Sequence, residues 1–193
     1  MAEKKVVLIA CGEADVTGNG AALEKFMKKA CSFASFTNAD MVAEASKIEG
    51  VVTVAADGVA KAFEDDAAFV VVELGNADAD TLEAAIAPIA EAADRRTLIA
   101  LATDKGLFLG GYGINKKAGA VERAASASDV VATFCYVADL PVPADCTGGV
   151  LYQGLKDRDM KAKEISKLKD AIARMEVALQ RDTREPWDKH DCA

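Results

Sequence analysis

The chain has 193 residues, 51% of them apolar, with 23 lysines and arginines against 31 aspartates and glutamates and a formal charge of -8. That length supports one globular domain with a buried core, and the negative balance excludes nucleic acid and anionic membrane as main partners, since both demand a positive field. No apolar run approaches the roughly 20 residues of a membrane span, and Cys11, Cys31, Cys135, Cys146 and Cys192, with no C-x-x-C pair, suit a reducing cytoplasm better than a disulfide framework.

The first expected element is a strand at Lys5 to Ala10. Leu8-Ile9-Ala10-Cys11 after two lysines looks like a lipoprotein cleavage box, but the apolar run from Val6 to Ala10 is shorter than the roughly 7 to 15 residues of a signal core. Gly12, Gly18 and Gly20 then make a glycine-bearing loop before a helix, a structural turn or an anion cradle at the helix N-terminus. Helices are expected at about Gly20 to Cys31 and Asp40 to Ile48, a strand at Val51 to Ala55, and a helix at Gly58 to Glu64. A strand at Ala68 to Leu74, a helix at Asp80 to Ala93, a strand at Thr97 to Ala102 and a helix at Ser128 to Ala138 follow. The strands are nearly continuous apolar runs of the kind covered on both faces. Cys31 and Cys135 read as small buried hydrophobes on helices. Between Lys105 and Ala125 glycines and lysines crowd a segment of little periodicity, expected as a loop or short hairpin beside the cleft, and Pro141 and Pro143 stop the helix before them.

Alternation of strands and helices predicts an α/β fold, a three-layer α/β/α sandwich on a mainly parallel sheet, over residues 1–155. Residues 156–181 form a charged amphipathic helix in which Ile165, Leu168, Ile172, Met175 and Leu179 follow 3-4-3-4 spacing on one stripe. The stripe packs on its own domain, supports a dimer contact, or pairs as a free coiled coil. Residues 182–193 are a tail in which Trp187 is a candidate anchor, and Asp188, His190 and Cys192 are three potential ligands in a segment that otherwise reads as solvated. Ligands of such sheets sit off the C-terminal strand edges, where Cys11, Asp57, Asn76 and Asp104 all fall.

The strand Thr97 to Ala102 ends in Thr103-Asp104-Lys105-Gly106. This resembles the strand of the alkaline-phosphatase superfamily, including cofactor-independent phosphoglycerate mutases and sulfatases, that ends in Asp-His-Gly. Gly50 to Lys61 is similar to the mutase strand and following helix, and Asn76-Ala77-Asp78 before Leu82-Glu83-Ala84-Ala85-Ile86 to the Asn-Pro-Asp segment. Ser128-Asp129-Val130-Val131-Ala132-Thr133 with Leu140 to Gly149 resembles the family's closing segment, and Phe36-Thr37-Asn38-Ala39 a sulfatase phrase. The resemblance covers a little over half of the chain, mostly from Lys47 to Leu155.

The resemblance implies a site of two divalent cations around a serine, threonine or cysteine-derived nucleophile, with the metals neutralising phosphoryl oxygens. Carried over position by position, it retains Asp78 and Asp104 as metal ligands. Lys105 stands where the second ligand of Asp-His-Gly belongs, and an ammonium has no lone pair for a cation. Cys11-Gly12 replaces the Asp-Gly that opens the site, with Glu13 and Asp15 close by, and the chain's single histidine, His190, is in the tail. Ser46 and Thr37 lie where the nucleophile belongs, without an adjacent base in sequence. The expected role is therefore non-catalytic: a cytoplasmic binding or assembly protein without a cofactor, forming a homo-oligomer or meeting a protein partner through the C-terminal helix and tail. One alternative is an ester hydrolase or phosphotransferase using Mg2+ or Mn2+ at a reduced site. The other is a phosphate or sulfate sensor in which Lys105, Lys116 and Lys117 hold the anion.

Overall fold

A computed structural model of the chain describes residues 4–18 and 20–184. The elements run β1 (Lys5–Ala14), α1 (Ala21–Met27), β2 (Cys31–Phe33), β3 (Phe36–Thr37), α2 (Met41–Ala45), β4 (Val51–Thr53), α3 (Val59–Glu64), β5 (Phe69–Ala77) and α4 (Ala79–Ala92). They continue with β6 (Thr97–Thr103), β7 (Gly106–Gly111), β8 (Ala120–Val121), β9 (Ala125–Ser126), α5 (Ala127–Ala138) and α6 (Met160–Arg184). The chain divides into two compact units, the first ending at Lys156 and the second beginning at Asp157.

Seven strands form one sheet in the order β4-β5-β1-β6-β7-β2-β8, and β3 pairs with β9 separately. Pairing is parallel from β4 through β5 and β1 to β6, antiparallel on both sides of β7, and parallel again between β2 and β8. Side chains of a strand alternate between faces, and the two faces of β1 anchor two separate cores. Val6 and Leu8 join the core covered by α2 and α5, where the rings of Phe69 and Phe134 meet at 5.5 Å. Val7 and Ile9 join the core under α1, α3 and α4, around Leu23, Phe63, Leu82 and Ile86. The result is three layers, helices on both faces of a mostly parallel sheet.

Among the five strands absent from the sequence expectation, β2 and β7 are the longest. Cys31, expected on a helix, lies in β2, because α1 ends at Met27 and Cys31-Ser32-Phe33 pairs with β7 on one side and β8 on the other. Three residues are too few for a period to declare itself, and the partners lie far along the chain. The segment after Asp104, expected as a loop or short hairpin, opens instead with a full strand of the sheet. In β7, Leu107 and Leu109 face one core while Phe108 faces the other, an alternation that the flanking glycines obscured.

A third long-range arrangement closes the fold at its C-terminal side. Ser126 and Asp129 form a capping box on α5, each side chain satisfying the other's backbone amide. The same Asp129 carboxylate accepts the Gly149 amide at 2.7 Å, and Thr133 Oγ1 accepts the Leu151 amide at 2.9 Å. Arg123 Nη1 donates to the Val150 carbonyl at 3.0 Å. These contacts strap the segment after Pro143 along the first turns of α5 and bury Leu151 and Leu155 in the core.

The β6–β7 reversal is a two-residue turn of Asp104 and Lys105, with Thr103 paired to Gly106. Buried Thr103 holds it: its hydroxyl donates to the Gly106 carbonyl at 3.0 Å and accepts the Lys105 amide at 3.2 Å. Gly106 has φ +145, and a Cβ there would stand 2.9 Å from the Phe33 carbonyl oxygen of β2. Gly106→Ala is therefore expected to cost about 1–3 kcal/mol, seen as a lower urea midpoint at unchanged slope.

Candidate functional site

β1 and β5 run past the rest of the sheet as a two-stranded ribbon. Their pairing continues from Ala10 with Glu73 to Cys11 with Gly75 and Ala14 with Ala77, across two irregularities in register. Bulges of this kind re-aim a strand at its end. Asn76 holds the first part of the ribbon, its Oδ1 accepting the Glu13 amide at 3.0 Å. Gly12 leaves room for that contact, since a Cβ there would lie 2.5 Å from the same oxygen. The Asp104 amide donates to the Gly12 carbonyl at 3.1 Å, so the β6–β7 turn is tied to the ribbon.

Two open grooves lie along this edge, at the switch point where the chain leaves the central strands in opposite directions. One, of about 650 Å³, is lined by Glu13, Asp15, Asn76, Asp78, Asp104 and Lys105. The other, of about 410 Å³, is lined by Cys11, Gly12, Asn38, Asp40, Met41 and Glu73, among others. Asn38 bridges the parts, its Nδ2 donating to the Cys11 carbonyl at 2.6 Å and to Asp104 Oδ1 at 3.1 Å. Reversing that amide would set oxygen against two acceptors, so its orientation follows from its partners. Asn38 Oδ1 is buried and has no hydrogen-bond partner among the described residues, a cost that the two donated bonds offset.

Two carboxylates of the larger groove, Asp78 and Asp15, bond to the backbone of their own segments. Asp78 caps α4, its Oδ1 accepting the Thr81 amide at 2.8 Å. Hydrogen bonds from Thr81 hold its carboxyl below the usual range, against repulsion from Asp15. Asp15 Oδ1 accepts the Thr17 hydroxyl at 2.6 Å and the Thr17 amide at 3.0 Å. Those bonds, with the charge of Lys105 adding to them, lower its pKa. Lys105 thus acts as a cation among acids.

Of the sequence candidates, Cys11, Asn76, Asp78, Asp104 and Lys105 meet at the grooves. Asp57 lies in the turn after β4, two strands from β1. Lys116 and Lys117 stand elsewhere: β7 pairs Gly106 with Thr103 at one end and Gly111 with Leu98 at the other, so it carries the chain to the opposite sheet edge before either lysine. Six strand residues separate the two edges by roughly 17–20 Å, so the three lysines expected to share an anion are not together. Ser46 ends α2, its hydroxyl donating to the Val42 carbonyl at 2.7 Å. Thr37 is exposed in β3, and neither residue lines the two grooves.

Asn38, Asp15 and Glu83 carry more of this edge than the sequence disclosed. Glu83 of α4 places its carboxylate on the first amides of α1, 3.0 Å from Ala22 N and 2.7 Å from Leu23 N. The glycine-bearing loop therefore delivers a helix N-terminus to an anion of the protein itself. The one sequence signal for Asn38 is its place in the phrase Phe36 to Ala39; nothing local marks Glu83, whose partner lies some 60 residues earlier.

The donor set does not fit a two-metal centre. Among the described residues no group of three or more histidine, cysteine, aspartate and glutamate side chains is placed to hold one ion. Asp78 and Asp104 remain, with Lys105 lining the same groove and one oxygen of Asp78 already accepting the Thr81 amide. His190 and Trp187 lie outside the described residues. Comparison with protein-family models and with curated proteins gives no match to either.

Cys11 is not set up as a nucleophile, since burial pushes its thiol up to about 11. Burial does the same to Cys31 and Cys135, also to about 11. A thiol whose folded pKa is raised favours the folded state while neutral, and that contribution is lost as pH rises from the ordinary 9.0 through about 11. Asp129 works at the other end: burial disfavours its charge, but the Gly149 and Ser126 amides, the Ser126 hydroxyl and Arg123 together lower its pKa below 3.8. Its contribution is present above that value and lost as pH falls through the lowered one. Urea midpoints measured across pH should fall on both flanks; replacing Cys11, Cys31 and Cys135 by alanine or serine should flatten the alkaline flank, and Asp129→Asn the acid one.

Proposed function

We propose that this chain is a degenerate alkaline-phosphatase-like domain, closest in pattern to the phosphatase part of phosphoglycerate mutase, that serves as a cytoplasmic binding or assembly protein. The observation that carries the reading is the Asp104-Lys105 turn: it sits at the switch point where a metal-dependent esterase would do its chemistry, and it presents an ammonium there. An ammonium cannot donate a lone pair to a metal at neutral pH. The other parts agree with it. The hydroxyl of Ser46 is spent on its own helix, Cys11 is held as a neutral thiol, and Asp78 serves as a helix cap. Assembly is assigned to α6, which holds an apolar stripe in the exposed state.

A second reading rests on the charge of the larger groove, where Glu13, Asp15, Asp78 and Asp104 outnumber Lys105. That excess favours a hard cation over a phosphate or sulfate, and oxygen donors suit Mg2+ or Mn2+. The anion-sensor reading keeps only Lys105 of its three lysines at this edge.

Purified chain should show no hydrolysis of p-nitrophenyl phosphate or sulfate that depends on Asp104, with Mg2+, Mn2+ or Zn2+ present. Turnover abolished by Asp104→Ala would overturn the non-catalytic reading. A melting temperature raised by Mn2+ or Mg2+ in the native chain, and unmoved in Asp78→Ala or Asp104→Ala, would select the cation reading instead.

A further inference from the structure

The feature left without a role by the grooves is the face of α6. Ile165, Leu168, Ile172, Met175 and Leu179 are between 51% and 66% exposed in the single chain. Five large apolar side chains in one stripe are more than scattered surface residues, and such patches mark interaction sites. The spacing defines a heptad: Ile165, Ile172 and Leu179 take its a positions, Leu168 and Met175 its d positions. Glu164 and Ala171 then fall at g, Lys169 and Glu176 at e.

Resting on the assembly reading above, we infer that α6 pairs with α6 of a second copy of this chain as a parallel two-stranded coiled coil in register. Three observations select this occupant and this orientation. The a positions carry two isoleucines and the first d position a leucine, the combination that, in a parallel coil, favours two strands over three or four. In a parallel pair each stripe residue meets its own counterpart, giving five apolar layers. An antiparallel pair matches a to d and leaves either Ile165 or Leu179 opposite a position beyond the stripe. Charge agrees: Glu164 of one copy faces Lys169 of the other, twice by symmetry, while Ala171 faces Glu176, so no like charges meet across the e and g rows.

Glu164 lies 3.7 Å from Lys161, one turn earlier on its own helix. The stripe covers two heptads, about 21 Å of helix, close to the smallest interface that holds two proteins together, so the dissociation constant is expected on the order of micromolar.

The experiment is sedimentation velocity on the full-length chain over a concentration series, with circular dichroism to verify that α6 stays helical in each variant. The native chain should pass from one copy to two. Glu164→Lys and Lys169→Glu should each weaken the dimer roughly tenfold by turning two attractive pairs repulsive, and the double exchange should restore it. Leu168→Cys should form a disulfide between equivalent positions under mild oxidation, with the native chain as control for its own cysteines. A dimer that ignores the charge exchange, or that is not restored by the double variant, overturns parallel pairing and leaves the assembly reading standing. A chain that stays monomeric throughout overturns self-association itself.

Discussion

β1 pairs with β5 on one side and β6 on the other, and each of its faces is sealed by a separate helical core. A strand in that position has no solvent to satisfy its amides and carbonyls, so both neighbours must be in register for it to be buried at all. The register in turn determines which edge residues meet. Pairing Ala10 with Ala102 sets the Asp104-Lys105 turn beside Gly12, and pairing Cys11 with Gly75 sets Asn76 beside Glu13. A slip of one residue would exchange the two faces of β1 and move every one of those contacts.

The grooves are consequences of that register rather than separate devices. β1 and β5 outrun their neighbours, and the bulges in the ribbon open space where the turn, Asn38 and the cap of α4 converge. Each of the polar groups gathered there makes a bond to the backbone: Asp78 to Thr81, Asp15 to Thr17, Asn76 to Glu13, Asn38 to Cys11. A catalytic carboxylate needs a lone pair and a proton-transfer partner left over. At this edge Asp15 and Asp78 also act as connectors within their own segments of the chain. Glu83 repeats the theme, with a carboxylate supplied by one helix to satisfy the first turn of another.

Much of the architecture was legible in the chain. The runs Val6 to Ala10, Phe69 to Val72 and Leu98 to Ala102 are apolar on both faces, which only a central strand of a covered sheet tolerates, and the structure places them side by side at its centre. The helix expected from Asp80 to Ala93 is α4, but Asp78, expected as a metal ligand, serves as its N-cap. What was not legible depended on distance in sequence. Cys31 to Phe33 is a strand only because β7 and β8 supply its partners, and Gly106 to Gly111 hides its alternation behind glycines that are there for turns and close contacts.

The sequence by itself determined the layering and the presence of acids at strand ends, because hydrophobic period and residue chemistry are local properties. It also determined the helical stripe of α6, written in its 3-4-3-4 spacing. Only the tertiary structure decided which charges share a groove. Lys105 joins Asp104, Asp78 and Asp15, whereas Lys116 and Lys117, a few residues on, are carried to the other sheet edge by β7. Electrostatic partnership depends on separations of a few ångströms, and those are set by which strands pair and in which direction, a choice made by burying β1 and not by any segment alone.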